Sequence, residues 1–243
     1  MMTIQASDSG IAVALTARDL VALQQQLRRL NEFCPQHELL IEWRLDQWHD
    51  LTDWAELQQG NRLIRAASRS PLLITWRTEH ARQQPLGATV YQAQMSQFMT
   101  RLSADLWDLE IARVSHPEEL RRLLSQDEQI VWSQHFWQPQ SRARLLAALT
   151  AASTFAGPTD FLKLATWAAS SEDCLNLLEA TWWAHQQLKQ PLITMAMGPT
   201  GRISRSLGYL FGSRWSFGAL TQQGSAPGQL PLAQLDQQLL ALE

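Results

Sequence analysis

Of the 20 basic residues in the chain only Lys163 and Lys189 are lysines, and Lys163 sits inside an apolar run of strand period, DFLKLATWA (160–168). A lysine in such a run must reach solvent, pair with an acid, or stay unprotonated for chemistry. Strand lysines are more often edge or surface residues. Here, however, Leu162 and Leu164 occupy one face while Phe161 and Ala165 share the face of Lys163, so neither side reads as wet. Removing an ammonium from water costs several kcal/mol unless it is paired or neutral. Desolvation favours the free amine, which is a nucleophile toward carbonyl carbon. His135, at the end of QIVWSQHFW (129–137), falls on the preceding apolar run, so an amine and an imidazole on neighbouring strands would face one small substrate.

Other polar residues interrupt apolar runs near their C-terminal ends. Glu42, Arg44 and Asp46 lie at i, i+2 and i+4 in LLIEWRLD, which places all three on one strand face. They fit a substrate-holding cluster and a structural ion-pair network equally well. Arg77 ends PLLITWR, and Asp108 and Glu110 stand two apart in LWDLEIARV. Further on come Arg205 in GRISR and the turn-rich SAPGQ (225–229) with Ser225 and Gln229; the Pro-Gly pair on its own signals only a turn. Met195 and Met197 share a face of PLITMAMG and read as core on pattern alone.

The elements that would position these groups alternate along the chain. Strand-like runs are expected at 11–16, 39–46, 71–77, 106–114, 129–137, 160–168, 191–198 and 215–220, with amphipathic helical stretches such as 19–33, 88–102, 141–153, 171–188 and 231–243 between and after them. Short apolar runs alternating with helices predict parallel strands covered by helices. Eight such units in 243 residues predict an α/β protein, a single-domain (β/α)8 TIM barrel spanning residues 1–243. In that architecture functional groups project from the C-terminal strand ends, where the polar interruptions cluster.

A net charge of −3 and a pI near 6.1 give no electrostatic case for nucleic acid or an anionic membrane as partner. Cys34 and Cys174 are isolated, without metal-ligand spacing or a disulfide framework, which fits a reducing cytoplasm. The first residues lack a basic stretch followed by an apolar one, and no run approaches 18 apolar residues, so neither that secretion route nor a membrane span is expected.

Several ordered motifs together resemble the type I 3-dehydroquinate dehydratases. The most specific block is ITMAMGPTGRISRSLGYLFGSRWSFGAL…SAPGQL (193–230); IEWRLD (41–46) and LLITWR (72–77) are similar to two further family motifs. The resemblance runs nearly end to end and implies a (β/α)8 barrel acting on 3-dehydroquinate. It implies Lys163 as the imine-forming lysine and His135 as general acid/base. It further implies Arg205, Ser225 and Gln229 as carboxylate-binding and loop-closing groups, Glu42, Arg44 and Arg77 as residues that hold ring hydroxyls, and Met195 and Met197 beside the ring. No metal or organic cofactor would be needed, because the imine supplies the electrophile, and the family suggests a homodimer. Two departures stand out. The family's Glu-Gly-Gly is replaced by Ala81-Arg82-Gln83, and its His-Asp-Phe by His135-Phe136-Trp137. The competing readings are another lysine-imine lyase of aldolase type and a ligand-binding barrel without turnover.

Overall fold

The structure is a computed structural model and describes residues 10–78, 86–220 and 224–242. Its strands are β1 (Gly10–Leu15), β2 (Glu38–Arg44), β3 (Leu72–Thr75), β4 (Leu106–Glu110), β5 (Gln129–Phe136), β6 (Phe161–Trp167), β7 (Leu192–Met197) and β8 (Trp215–Ala219), with a two-residue β9 (Leu230–Pro231) beside β8. They pair in parallel in the order β7-β6-β5-β4-β3-β2-β1-β8-β9. The sheet curls until β7 and β8 meet. There a single bridge joins Leu192 to Ser213, and the Arg214 amide donates to the Leu192 carbonyl at 2.7 Å. The Ser213 hydroxyl accepts from the Thr194 amide at 2.9 Å, so a side chain replaces part of the missing ladder. The fold is the expected (β/α)8 barrel.

Helices α1 (Leu20–Asn31), α2 (Trp54–Ala67), α3 (Ala88–Arg101), α4 (Pro117–Arg121), α5 (Arg142–Ser153), α6 (Ser171–Gln187), α7 (Ile203–Leu207) and α8 (Leu232–Leu240) lie outside the sheet. Their starts follow local chemistry. Asp19, Asp53 and Ser141 accept from amides of the first turns of α1, α2 and α5, and Ser170 with Asp173 forms a capping box on α6. Outward strand residues such as Trp107, Ile130, Trp132, Leu162 and Leu164 pack against these helices in one apolar layer. Inward residues form a second, smaller cluster: Ala12, Leu40, Leu73, Leu106, Val131, Phe161, Ile193 and Trp215 occupy the N-terminal half of the barrel interior. Two residues further along several of these strands the inward positions become polar: Glu42, Thr75, Asp108, Ser133 and Lys163. The interior therefore has an apolar floor and a charged upper half.

Several strands end sooner than their apolar runs. The run expected at 39–46 turns into a 3-10 segment at Leu45–Gln47, that at 106–114 does so at Ile111–Arg113, and that at 71–77 stops at Thr75. Beyond these points Asp46 pairs with Arg44 and Arg113 with Glu110 of its own segment, while Arg77 reaches Asp108 and Glu110, in place of further ladder bonds. Consequently Asp46 does not share the inward strand face of Glu42; it stands in the turn and pairs with Arg44. Helices α2, α4 and α7 add to the expected ones, and the helix expected at 231–243 is α8, Leu232–Leu240. Ala81, Arg82 and Gln83 lie outside the described residues.

The Asp160 carboxylate, at the floor just before β6, is 1 % exposed. It accepts from the amides of Gly157 (2.7 Å) and Ile130 (3.1 Å) and from the Trp132 indole (2.9 Å), and it pairs with Arg121. Removing one partner of buried donors leaves each of them to bear its own desolvation cost. Asp160→Ala is therefore expected to destabilise the barrel by about 3 kcal/mol, read from the urea denaturation midpoint. An unchanged midpoint would show that these donors find other acceptors.

Candidate active site

Lys163 lies on the inner face of β6 with 5 % exposure. Its ammonium donates to Asp108 Oδ2 at 3.0 Å and to Glu42 Oε1 at 3.3 Å. It also stands 4.5 Å from the centre of the Phe217 ring, contributed by β8. The hydrocarbon walls expected from the sequence flank are thus incomplete. Phe161 and Ala165 neighbour the lysine on its own strand, but two carboxylates from β2 and β4 close the site opposite.

Asp108 is fully buried and shared. Its Oδ1 accepts from Arg77 Nη2 at 2.7 Å and from the Ser133 hydroxyl at 2.6 Å, while Oδ2 faces the lysine. Burial alone would raise its pKa, but Arg77 and Lys163 outweigh that and hold the carboxyl below the usual carboxylate range. Arg77 Nη1 reaches Glu110 Oε1 at 3.1 Å and Ser133 Oγ at 3.0 Å. Thr75 donates to Glu42 at 2.8 Å. At the rim, Arg44 makes a two-pronged pair with Asp46, both contacts at 2.8 Å, and Asp46 also accepts the Arg77 amide at 3.2 Å. Arg113 completes the group by donating from Nε to Glu110 Oε2 at 3.2 Å. Among the described residues, Lys163, Arg44, Arg77 and Arg113 thus face Glu42, Asp46, Asp108 and Glu110.

His135 lies on the inner face of β5. The β5–β6 register sets Ser133 beside Lys163 and His135 beside Ala165, so the histidine stands one inward position above the lysine on the adjacent strand. Strand spacing and rise put their Cα atoms about 8 Å apart. The imidazole stacks on Trp137, with ring centres 6.3 Å apart and planes 24° from parallel, so one residue of the altered His135-Phe136-Trp137 segment shelters the ring. Burial first, then the positive charges of Arg77 and Lys163, push the imidazole pKa well below its ordinary value, and the ring is neutral at physiological pH. Met195 and Met197 line the inner wall on β7, Met195 in register with Ala165.

A second cluster forms where β7 and β8 end. Arg205 of α7 is 1 % exposed, and its Nη2 donates to the Pro227 carbonyl at 3.1 Å. Its Nε and Nη1 have no hydrogen-bond partner among the described residues. Burial, reinforced by Arg202, lowers this guanidinium's pKa to about 10, so it stays charged. Pro227 also accepts the Gly198 amide at 3.3 Å, and Gly228, at φ +81°, lies so close to the Gly198 carbonyl that a Cβ there would stand 2.3 Å from that oxygen. The SAPGQ loop is thereby seated on the end of β7. Ser225 and Gln229 bond to one another, Gln229 Nε2 to Ser225 Oγ at 2.8 Å and the Ser225 amide to Gln229 Oε1 at 2.7 Å.

The residues singled out in the sequence therefore fall into one charged cluster (Lys163, Glu42, Arg44, Arg77, with His135 above), a methionine wall, and a loop cluster around Arg205. Asp108, Ser133, Thr75 and Phe217 belong to the first cluster although they were not singled out as site residues. The two-residue spacing of Asp108 and Glu110 within an apolar run was the available signal. Thr75 and Phe217 fall within the quoted LLITWR and WSFGAL stretches, but no spacing or charge pattern gives either a role.

Because the native imidazole resists protonation, an unfolded chain binds a proton at this position before the folded one does. Stability gains nothing from His135 above pH ~6.5 and falls as pH drops below that value, until the native ring itself titrates. His135→Asn should flatten the pH dependence of the denaturation midpoint below pH 6.5, and an unchanged slope would contradict the burial described above. Asp108 acts in the same direction at lower pH. Its stabilising pairs are complete above the ordinary carboxylate range and are lost as pH falls through the depressed native value.

Comparison with known proteins identifies the family. Residues 11–243 match the family model described as type I 3-dehydroquinase. The chain is 36% identical over 215 residues to the 3-dehydroquinate dehydratase of Geobacillus kaustophilus, covering 85% of this chain and 81% of that protein. It is 30% identical over 240 residues to the 3-dehydroquinate dehydratase of Escherichia coli O9:H4, covering 96% and 93%. The crystal structure of the Geobacillus kaustophilus enzyme superposes with a TM-score of 0.86 at 30% identity, over 97% of this chain and 91% of that one. The family model over residues 11–243, the relatives at 30% identity or more and the superposing fold agree, and the chain belongs to the type I 3-dehydroquinase family.

Proposed function

We propose that this protein dehydrates 3-dehydroquinate to 3-dehydroshikimate through a covalent imine on Lys163. The observation that carries this reading is the placement of Lys163: the one lysine on a barrel strand is buried in the inner cluster, one position below a neutral histidine on the adjacent strand.

Family membership supports the reaction class, and the site supports the steps. The ammonium must first lose a proton, and Glu42 is the carboxylate in contact with it that Arg77 does not hold. The free amine adds to the C3 carbonyl; loss of water gives an iminium, which withdraws electrons from C2. His135, held neutral, takes the C2 proton and becomes an imidazolium. The resulting enamine expels the C1 hydroxyl, which leaves as water with the proton that His135 returns. Hydrolysis of the product imine regenerates the amine, so the net change is loss of one water. No metal or organic cofactor enters these steps.

Arg205 is the natural anchor for the substrate carboxylate. Its charge stands outside the ion pairs around Lys163 and Arg77, and two of its donor positions are buried with no acceptor among the described residues. A carboxylate placed there would gain a paired geometry that fixes the ring over the amine. Ser225 and Gln229 would close the loop over it, Glu42, Arg44 and Arg77 would hold the ring hydroxyls, and Met195 and Met197 would pack beside the ring.

Incubation with 3-dehydroquinate and borohydride, followed by mass spectrometry, is expected to give a reduced adduct on Lys163, and the conjugated enone should appear by ultraviolet absorbance. Lys163→Met should lose both signals. His135→Ala should keep adduct formation while kcat falls about 10²–10⁴-fold. Ligand binding by wild type without adduct or turnover would replace this reading with that of a ligand-binding barrel. An adduct without enone would point to a different lysine-imine lyase.

A further inference from the structure

Glu110 takes no part in the steps above, yet it is fully buried and heavily bonded. Its Oε1 accepts from the Thr78 amide at 2.7 Å and from Arg77 Nη1 at 3.1 Å. Its Oε2 accepts from the Thr78 hydroxyl and from Arg113 Nε at 3.2 Å. Arg113, one turn further along the chain, donates from Nη1 to the Leu86 carbonyl. One carboxylate at the end of β4 therefore holds the chain just after β3 directly and the chain just before α3 through one guanidinium. The same corner is braced from outside. The Glu110 amide donates to the Tyr91 hydroxyl of α3 at 3.0 Å, and the Tyr91 ring stacks on Trp76, with centres 5.4 Å apart and planes at 3°.

We propose that Glu110, with Arg113 as its relay, is a positioning residue for the site: it sets Arg77 and both flanks of the β3–α3 connection, and so aligns the substrate without touching it. The inference rests on the dehydratase reading for its kinetic consequence and on geometry alone for its structural one. Arg77 bonds the same Asp108 that faces Lys163, so a shift of Arg77 moves the acid beside the amine. A purely structural role would need only a filled and paired site. A positioning role needs this charge, because an amide at 110 would turn its NH2 toward either Arg77 or Arg113, donor against donor.

The test combines two measurements on Glu110→Gln, Arg113→Ala and Arg113→Lys. The first is hydrogen exchange of backbone amides, which does not depend on any activity. Exchange at Thr78 and across the start of α3 is expected to quicken in Glu110→Gln, and at the start of α3 in Arg113→Ala, while β7 amides keep wild-type rates. The second is steady-state kinetics with borohydride trapping. In Glu110→Gln, kcat/KM is expected to fall about 100-fold, with Lys163 still trapped at saturating substrate. Arg113→Lys should recover part of what Arg113→Ala loses. Wild-type exchange at both flanks in Glu110→Gln and Arg113→Ala would overturn the clamp, as would kinetics within about twofold of wild type. If Glu110→Gln fails to fold, the Arg113 pair, altered at a rim residue, decides by the same two criteria. A wild-type protein without adduct or turnover would sink the dehydratase reading only, and exchange would still decide the clamp.

Discussion

The ammonium of Lys163 sits out of water between Asp108 and Glu42, and much of the upper barrel follows from the need to keep that charge paired. An isolated buried cation is far costlier than a paired one, so the lysine requires acids within reach. Asp108 in turn is buried and needs donors for its second oxygen, which Arg77 and Ser133 supply. Arg77 then requires Glu110, and Glu110 takes Thr78 and Arg113. Each buried charge recruits the next until the group reaches the rim. Arg205 is the exception: it is buried with donor positions that no described residue satisfies.

This arrangement is a poor way to gain stability. Buried ion networks of this size are often matched or exceeded by apolar side chains of the same volume. The floor of the same barrel is built that way, with Leu40, Leu73, Leu106, Val131, Phe161 and Ile193 facing inward. The change from apolar to charged occurs within one or two inward positions on neighbouring strands. An all-apolar barrel of this topology would have no need of it; here the charged half answers to the need to keep the buried Lys163 paired. The floor, with Asp160 tying β5 and β6 together, carries the packing that lets the upper half hold its charges in place.

Two segments differ from the pattern of the family to which the chain belongs. Around His135 the difference has a visible consequence, because Trp137 stacks on the imidazole. At 81–83 the sequence reads Ala-Arg-Gln where the resemblance leads one to expect Glu-Gly-Gly. The flanks of that connection are nevertheless held, by Glu110 at Thr78 and by Arg113 at Leu86.

The repeating unit was legible in the sequence because strand and helix periods are local properties: eight apolar runs separated by amphipathic stretches permit few architectures other than a closed barrel. Lys163 and His135 stood out for a related reason, since a charged or titratable residue in an apolar run costs free energy unless it is paired or neutral. Two-residue spacing put Glu42 on an inward face, and the motifs shared with the family carried Arg205, Ser225 and Gln229. What spacing could not show is which side chains meet across strands. The tertiary structure alone separated Asp46 from Glu42, because β2 ends at Arg44 and Asp46 stands in the turn beyond it, held by Arg44 and by the Arg77 amide. It alone placed Asp108 between Lys163 and Arg77, and brought Phe217 against the ammonium from β8. Those contacts depend on register and closure, and both are decided only when all eight strands are in place.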